Sequence, residues 1–223
     1  MNKKILNLIF DFDGVIVNSN HIKTEAFEEI SKSFGSLNSS KLVNYHIENG
    51  GISRFKKIRW FVQNVLKTND EFLIKNLIDQ YGVEVSKRLY NCELRTDLFK
   101  LKKELKGTSW SIASGGFEEE ISSYLKDKSI LNLFDSGVYG SPKTKNDIIK
   151  EIKSKAKINQ NNGWFLIGDS KYDYECAKKN NVRFLFAYDW TEIKDPHQFI
   201  KINKIDSIAG IEKLNMKYFK YFL

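Results

Sequence analysis

The chain has 223 residues, 41% of them hydrophobic and 13% aromatic, with 36 Lys and Arg against 28 Asp and Glu for a formal charge of +8. That length and apolar content suit one large domain, or a core with a smaller insert. No stretch approaches the roughly 18 consecutive apolar residues of a membrane span, and the start, Met1-Asn2-Lys3-Lys4, enters a short apolar run with no signal-peptide cleavage pattern. Cys92 and Cys176 lie far apart outside any CxxC pair, which predicts free thiols in a cytoplasmic protein rather than a disulfide or a zinc site. The lysines are scattered rather than blocked, so the charge suits a small anionic substrate better than nucleic acid.

In chain order, Ile5 to Phe10 is an apolar run with the character of a buried strand, and it ends abruptly in Asp11-Phe12-Asp13-Gly14. Helical spacing then recurs over about 21–34, from Ser40 to about Glu48, over 52–67 and over 70–93, with nothing between residues 18 and 95 alternating like a strand. Beyond a helix at 98–105 the pattern changes. Short apolar strands are predicted at 110–113, 134–139, 164–167 and 183–188, with helices at 117–126, 144–156 and 174–180 and a helical tail after Ile208. Strands alternating with helices predict a parallel α/β sheet covered on both faces, whose ligands sit at the carboxyl ends of the strands.

Four polar clusters fall at such ends: Asp11/Asp13, Ser114-Gly115, Lys143/Lys145 and Asp169/Asp173. Together they can perform phosphoryl transfer. One carboxylate attacks phosphorus, and a second moves a proton to the leaving oxygen and later from water. A hydroxyl, backbone N–H groups and a lysine hold the phosphoryl oxygens. Closely set acids at a buried strand end call for a hard divalent cation such as Mg²⁺. The helix start leaves the lysine open. Thr144 and Asp147 form a capping box that puts Lys145 at the first helical position and favours it over Lys143.

The run Asp11-Phe12-Asp13-Gly14, then Ile112-Ala113-Ser114-Gly115, Ser141-Pro142-Lys143-Thr144-Lys145 and Gly168-Asp169-Ser170-Lys171-Tyr172-Asp173, resembles the four ordered motifs of the haloacid dehalogenase superfamily. The resemblance implies a Rossmann-like parallel core formed by residues 1–17 and 96–223, with residues 18–95 as an inserted all-helical cap. It implies Asp11 as nucleophile and Mg²⁺ ligand, and Asp13 as general acid/base with its carbonyl on the metal. Ser114 and the Gly115 N–H would hold the phosphoryl group, and Asp169 and Asp173 the metal. Gly51-Ile52-Ser53-Arg54 is similar to a cap segment of the β-phosphoglucomutase-like branch, which makes Arg54 a substrate-binding candidate beside Asn18 and His21. The mutases carry a histidine where Lys23 aligns. The expected activity is therefore a Mg²⁺-dependent phosphatase of a small phosphorylated metabolite, with a phosphomutase or a non-catalytic phospho-ligand-binding protein as alternatives and the oligomeric state open. His46 and His197 are expected at the surface or in structural roles, and Trp60, Trp110 and Trp164 in the core.

Overall fold

The computed structural model describes residues 6–156 and 163–219, so Met1 to Ile5 and the last four residues of the tail lie outside the described residues. β1 (Leu6–Phe10) is buried along its whole length and lies in the middle of a six-stranded parallel sheet of order β3-β2-β1-β4-β5-β6. Its neighbours are β2 (Thr108–Phe117) and β4 (Gly163–Gly168), with β3 (Val138–Ser141), β5 (Arg183–Ala187) and β6 (Asp206–Ile208) outside them. Phe10 pairs with Ile112 on one side and Ile167 on the other. The residues that follow these three, including Asp11, Ser114 and Asp169, therefore emerge at one edge of the sheet.

The two-residue period of a strand divides the core. Leu8 and Phe10 face one cluster, where Phe10 packs on Trp110 at 4.8 Å between ring centres. Ile9 faces the other, among Ile148, Ile149 and Ile152 of the helix 145–155 and Ala177 of the helix 171–179. Between β1 and β2 run α1 (Asn20–Ser31), α2 (Ser36–Glu48), α3 (Arg54–Trp60) and α4 (Glu71–Leu89). Beyond Trp60, α3 widens into a π-helical turn closed by Leu66 N–H to the Phe61 carbonyl. Phe27, Leu42, Ile58 and Val85 from these helices join the first cluster.

After β2 come α6 (Glu118–Asp127), α7 (Lys145–Lys155) and α8 (Lys171–Lys179), α5 (Leu98–Glu104) having preceded it. Three local expectations need correction. The strand predicted at 134–139 starts at Val138, because Gly137 has φ +97° and Asp135 turns back to accept from the Trp110 N–H at 2.7 Å. The strand predicted at 110–113 runs on to Phe117, which pairs with Ser141 across a register shift that bulges out Ser114, Gly115 and Gly116. The helical tail expected after Ile208 is broken among the described residues into a single turn at 211–213 and α10 (Met216–Phe219), and the unforeseen β6 leads into it. It is preceded by an unforeseen α9 (Pro196–Asn203). Its signal was present: Asp195 caps the Gln198 N–H and Pro196 takes the first helical position.

Candidate active site

Asp11 follows the last residue of β1 and is 3% exposed. Its N–H donates to the Ile167 carbonyl at 2.8 Å, and its Oδ1 accepts from the Phe12 N–H at 2.7 Å. On its other oxygen lies Lys145 Nζ, 2.6 Å away. Lys145 begins α7, where Thr144 caps the Asp147 N–H as the sequence predicted, and its side chain runs fully buried from the helix start to the carboxylates. The same ammonium pairs with Asp173, also fully buried. Burial works to lower Lys145, but Asp11 and Asp173 outweigh it and hold the ammonium above its ordinary range.

Asp173 sits in the first turn of α8. Its Oδ2 accepts from the Ser170 hydroxyl at 2.7 Å and from the Ser170 N–H at 3.2 Å, completing a capping box. Asp169, just past β4, accepts from Asn20 Nδ2 at 2.7 Å. Carboxylate oxygens of Asp11, Asp169 and Asp173 lie within 4.8 Å of one another. Burial, then the charges of Asp173 and Asp13, push Asp11 up to about 8 against the pull of Lys145. Burial with Asp11 and Asp173 holds Asp169 well above the usual carboxylate range. Three buried acids against one lysine leave a negative excess on hard oxygen donors, and this donor set fits a Mg²⁺ ion. The carboxylate of Asp13 is not in this set. It is held instead by the Ser19 hydroxyl at 2.5 Å and by Lys23 Nζ at 3.3 Å.

Two glycines permit this convergence. Gly14 has φ +75°, and a Cβ there would stand 2.2 Å from Asp169 Oδ2. A Cβ on Gly115 would stand 2.3 Å from the Gly51 carbonyl oxygen, so the loop before α3 lies directly on the bulge of β2. In that bulge the fully buried Ser114 Oγ accepts from the Gly116 N–H at 2.9 Å. Between this floor and helices α1 to α4 lies a cavity of about 380 Å³ whose wall includes Asp11, Asp13, Ser114, Gly115 and Asp169.

An acid-lysine-acid floor at the strand ends, roofed by helices inserted after the first strand, is matched by a family model over residues 8–187, that of haloacid dehalogenase-like hydrolases. The chain belongs to this family. No curated protein matches it. Among solved structures, a haloacid dehalogenase-like hydrolase from Streptococcus pneumoniae is 20% identical, with 98% of this chain and 99% of that one covered at a TM-score of 0.68. A predicted phosphatase from Clostridium acetobutylicum is 17% identical over 98% and 100%, TM-score 0.73. A β-phosphoglucomutase from Clostridium difficile is 16% identical over 97% and 96%, TM-score 0.75. At these identities the likeness is one of fold, and it covers the Rossmann-like core expected from the sequence.

Within the family fold, several candidates sit elsewhere than expected. Lys143 is half exposed and pairs with Glu151 at 2.6 Å, so of the two lysines only Lys145 reaches the carboxylates. Asn18 is not on the cavity wall; its N–H is spent on the Glu93 carbonyl, and Asn20, two residues on, takes the place beside Asp169. His21 is exposed, whereas Lys23 is buried and on the wall. Arg54 is on the wall, but its guanidinium is forked onto Glu120 of α6 and lies over Tyr81, 4.8 Å from the ring centre. His46 is buried, which takes it from the two places expected for it to the structural one. Trp110 is fully buried as expected, while Trp60 is half-buried and stacks on Tyr45 at 3.7 Å. The sequence reading overlooked Arg95 altogether. It is buried, forks onto Asp189, donates to the Val15 carbonyl at 3.1 Å and lies 3.3 Å from the Trp190 ring centre. Only the fold brings these segments together. Among the described residues no helix is long and apolar enough to cross a membrane.

Proposed function

We propose that the protein is a Mg²⁺-dependent cytoplasmic phosphatase of a small phosphorylated metabolite. Residues 18–95 serve as a helical cap over a core made from 1–17 and 96–223. The observation that carries this reading is Lys145 buried between Asp11 and Asp173, with Asp169 alongside, under a cavity open to a substrate. Lysine cancels part of the repulsion that an attacking carboxylate feels from a phosphate dianion. Free thiols at Cys92 and Cys176 agree with the reducing compartment.

In this reading the ester phosphate rests against Ser114 and the Gly115 N–H. Asp11 attacks phosphorus through the oxygen not held by the Phe12 N–H, and the bond to the leaving oxygen breaks. Asp13 gives its proton to that oxygen as it departs, leaving an aspartyl-phosphate on Asp11 and a carboxylate at position 13. Ser19 and Lys23 keep Asp13 fixed and stabilise it once ionised. Asp13 then takes a proton from water, whose oxygen attacks phosphorus, and Asp11 and inorganic phosphate are released. Asp11, Asp169 and Asp173, with the Asp13 carbonyl, would hold Mg²⁺, which supplies charge neutralisation for the incoming phosphate. The mutase alternative has less support, because Lys23 stands where mutases carry histidine and is engaged with Asp13.

The test is phosphate release from a panel of phosphomonoesters with and without Mg²⁺, in the native protein and in Asp11→Asn. Loss of the nucleophile is expected to lower kcat by at least about 10³-fold. Unchanged release in Asp11→Asn would remove Asp11 from the chemistry.

A further inference from the structure

An ammonium taken out of water without a counter-charge is costly, so a buried lysine is normally paired with an acid or set against a ligand. Lys57 of α3 is 1% exposed and on the cavity wall. Among the described residues its hydrogen bonds run to His46 alone, 2.7 Å to Nδ1 and 3.4 Å to the carbonyl. Among the described residues it makes no ion pair; Glu192 and Asp13 favour its charge only from a distance, and burial pulls it down to about 7.

An ammonium can only donate, so His46 Nδ1 accepts, and this assigns the proton of the neutral imidazole to Nε2. His46 Nε2 is buried and has no partner among the described residues. The Phe27 ring packs against both groups, 4.6 Å from the imidazole centre and 5.7 Å from Lys57 Nζ. The pair is therefore held in place with unspent N–H donors. The other buried cations of the same wall are committed, Arg54 to Glu120 and Lys23 to Asp13, while Lys171 and Lys194, which also line it, are exposed to solvent.

We infer that Lys57, oriented by His46, binds a second anionic group of the substrate, a carboxylate or a further phosphate, at the cap end of the cavity. The inference rests on the phosphatase reading for the position of the first phosphate. A neutral sugar hydroxyl in the same place would leave the buried ammonium without a counter-charge, whereas an anion supplies it and accepts from both donors.

The test uses three series of two to four carbons: ω-carboxyalkyl phosphates, α,ω-alkanediol bisphosphates and plain alkyl phosphates. The native protein is expected to favour one of the doubly anionic series over alkyl phosphates by about 10- to 100-fold in kcat/KM, and Lys57→Met to lose most of that ratio. Which series wins tells carboxylate from phosphate. Equal kcat/KM for all three in the native protein, or an unchanged ratio in Lys57→Met, would overturn the inference and leave the phosphatase reading standing. Should no ester be turned over, that reading falls, and calorimetry with ω-carboxyalkylphosphonates and alkylphosphonates decides the subsite. About tenfold tighter binding of the carboxylate series, with a displaced His46 imidazole ¹⁵N resonance, supports it; equal affinities overturn it. Lys57→Met exchanges a buried charge for an apolar chain of similar length, so loss of folding is not expected.

Discussion

On the sheet side of the cavity the buried lysine and two of the three buried acids are paired with each other. Lys145 touches Asp11 and Asp173, and Asp173 is further satisfied by Ser170. On the helical side, Lys57 is as deeply buried but among the described residues has only a neutral imidazole, whose far nitrogen has no partner there. The first arrangement is self-consistent without a substrate, apart from the negative excess that a divalent cation would cancel. The second is satisfied only when something is bound. Chemistry common to every phosphate ester needs a floor that is ready in advance, because preorganised charge does not have to rearrange during the reaction. Recognition of one ester among many is served by a wall that remains unfavourable until the right group arrives.

The contrast can be broken from either side. The largest effect is expected on the floor. Lys145→Met leaves Asp11 and Asp173 buried without their cation and should destabilise the protein by about 3–5 kcal/mol in urea unfolding. Added Mg²⁺ should recover part of the loss, and unchanged stability would mean that the floor is not held by this triad. A smaller effect is expected where the two walls meet. In Gly115→Ala the added Cβ must displace the Gly51 carbonyl, now 2.3 Å from its place, and shift the cap loop by a fraction of an ångström or more. A loss of up to about 10²-fold in kcat/KM is expected, with little change in melting temperature; normal kinetics would show that the loop yields without consequence.

The smallest effect is on the helical wall. Lys57 is pulled from 10.5 in the unfolded chain to about 7 in the fold. Between those values the unfolded chain holds more protons, so this residue makes stability rise with pH from about 7 to about 10.5. Lys57→Met should flatten that rise and leave the protein as stable as the native one, or more so, near pH 7. A native curve that is already flat would mean that Lys57 is paired in solution.

Much of the floor was legible because its signals are local. Asp11 and Asp13 end a strand, and the box pattern of Thr144 and Asp147, of which the Thr144 cap forms, marks the start of α7, each within a few residues. The choice between Lys143 and Lys145 followed from that box, since only the first helical residue is aimed back along the axis to the strand ends. Asn20 was harder. Beside Ser19 it had the character of one more helix cap, and only its contact with Asp169, 149 residues on, sets it apart. The extension of β2 through Ser114 to Phe117 depended on a partner strand, and so did the late start of β3.

Local sequence, then, determined the alternation of strands and helices, the four strand-end clusters and the family to which they belong. Each is written in residues adjacent along the chain, where apolar periodicity and capping act. Tertiary packing alone decided how the side chains of the helical wall are paired. It forked Arg54 onto Glu120 and set Lys57 against His46 on a cavity wall, and lysine in a helix carries no sequence mark of burial. Burial sets the cost of a charge, and it is a property of the assembled fold.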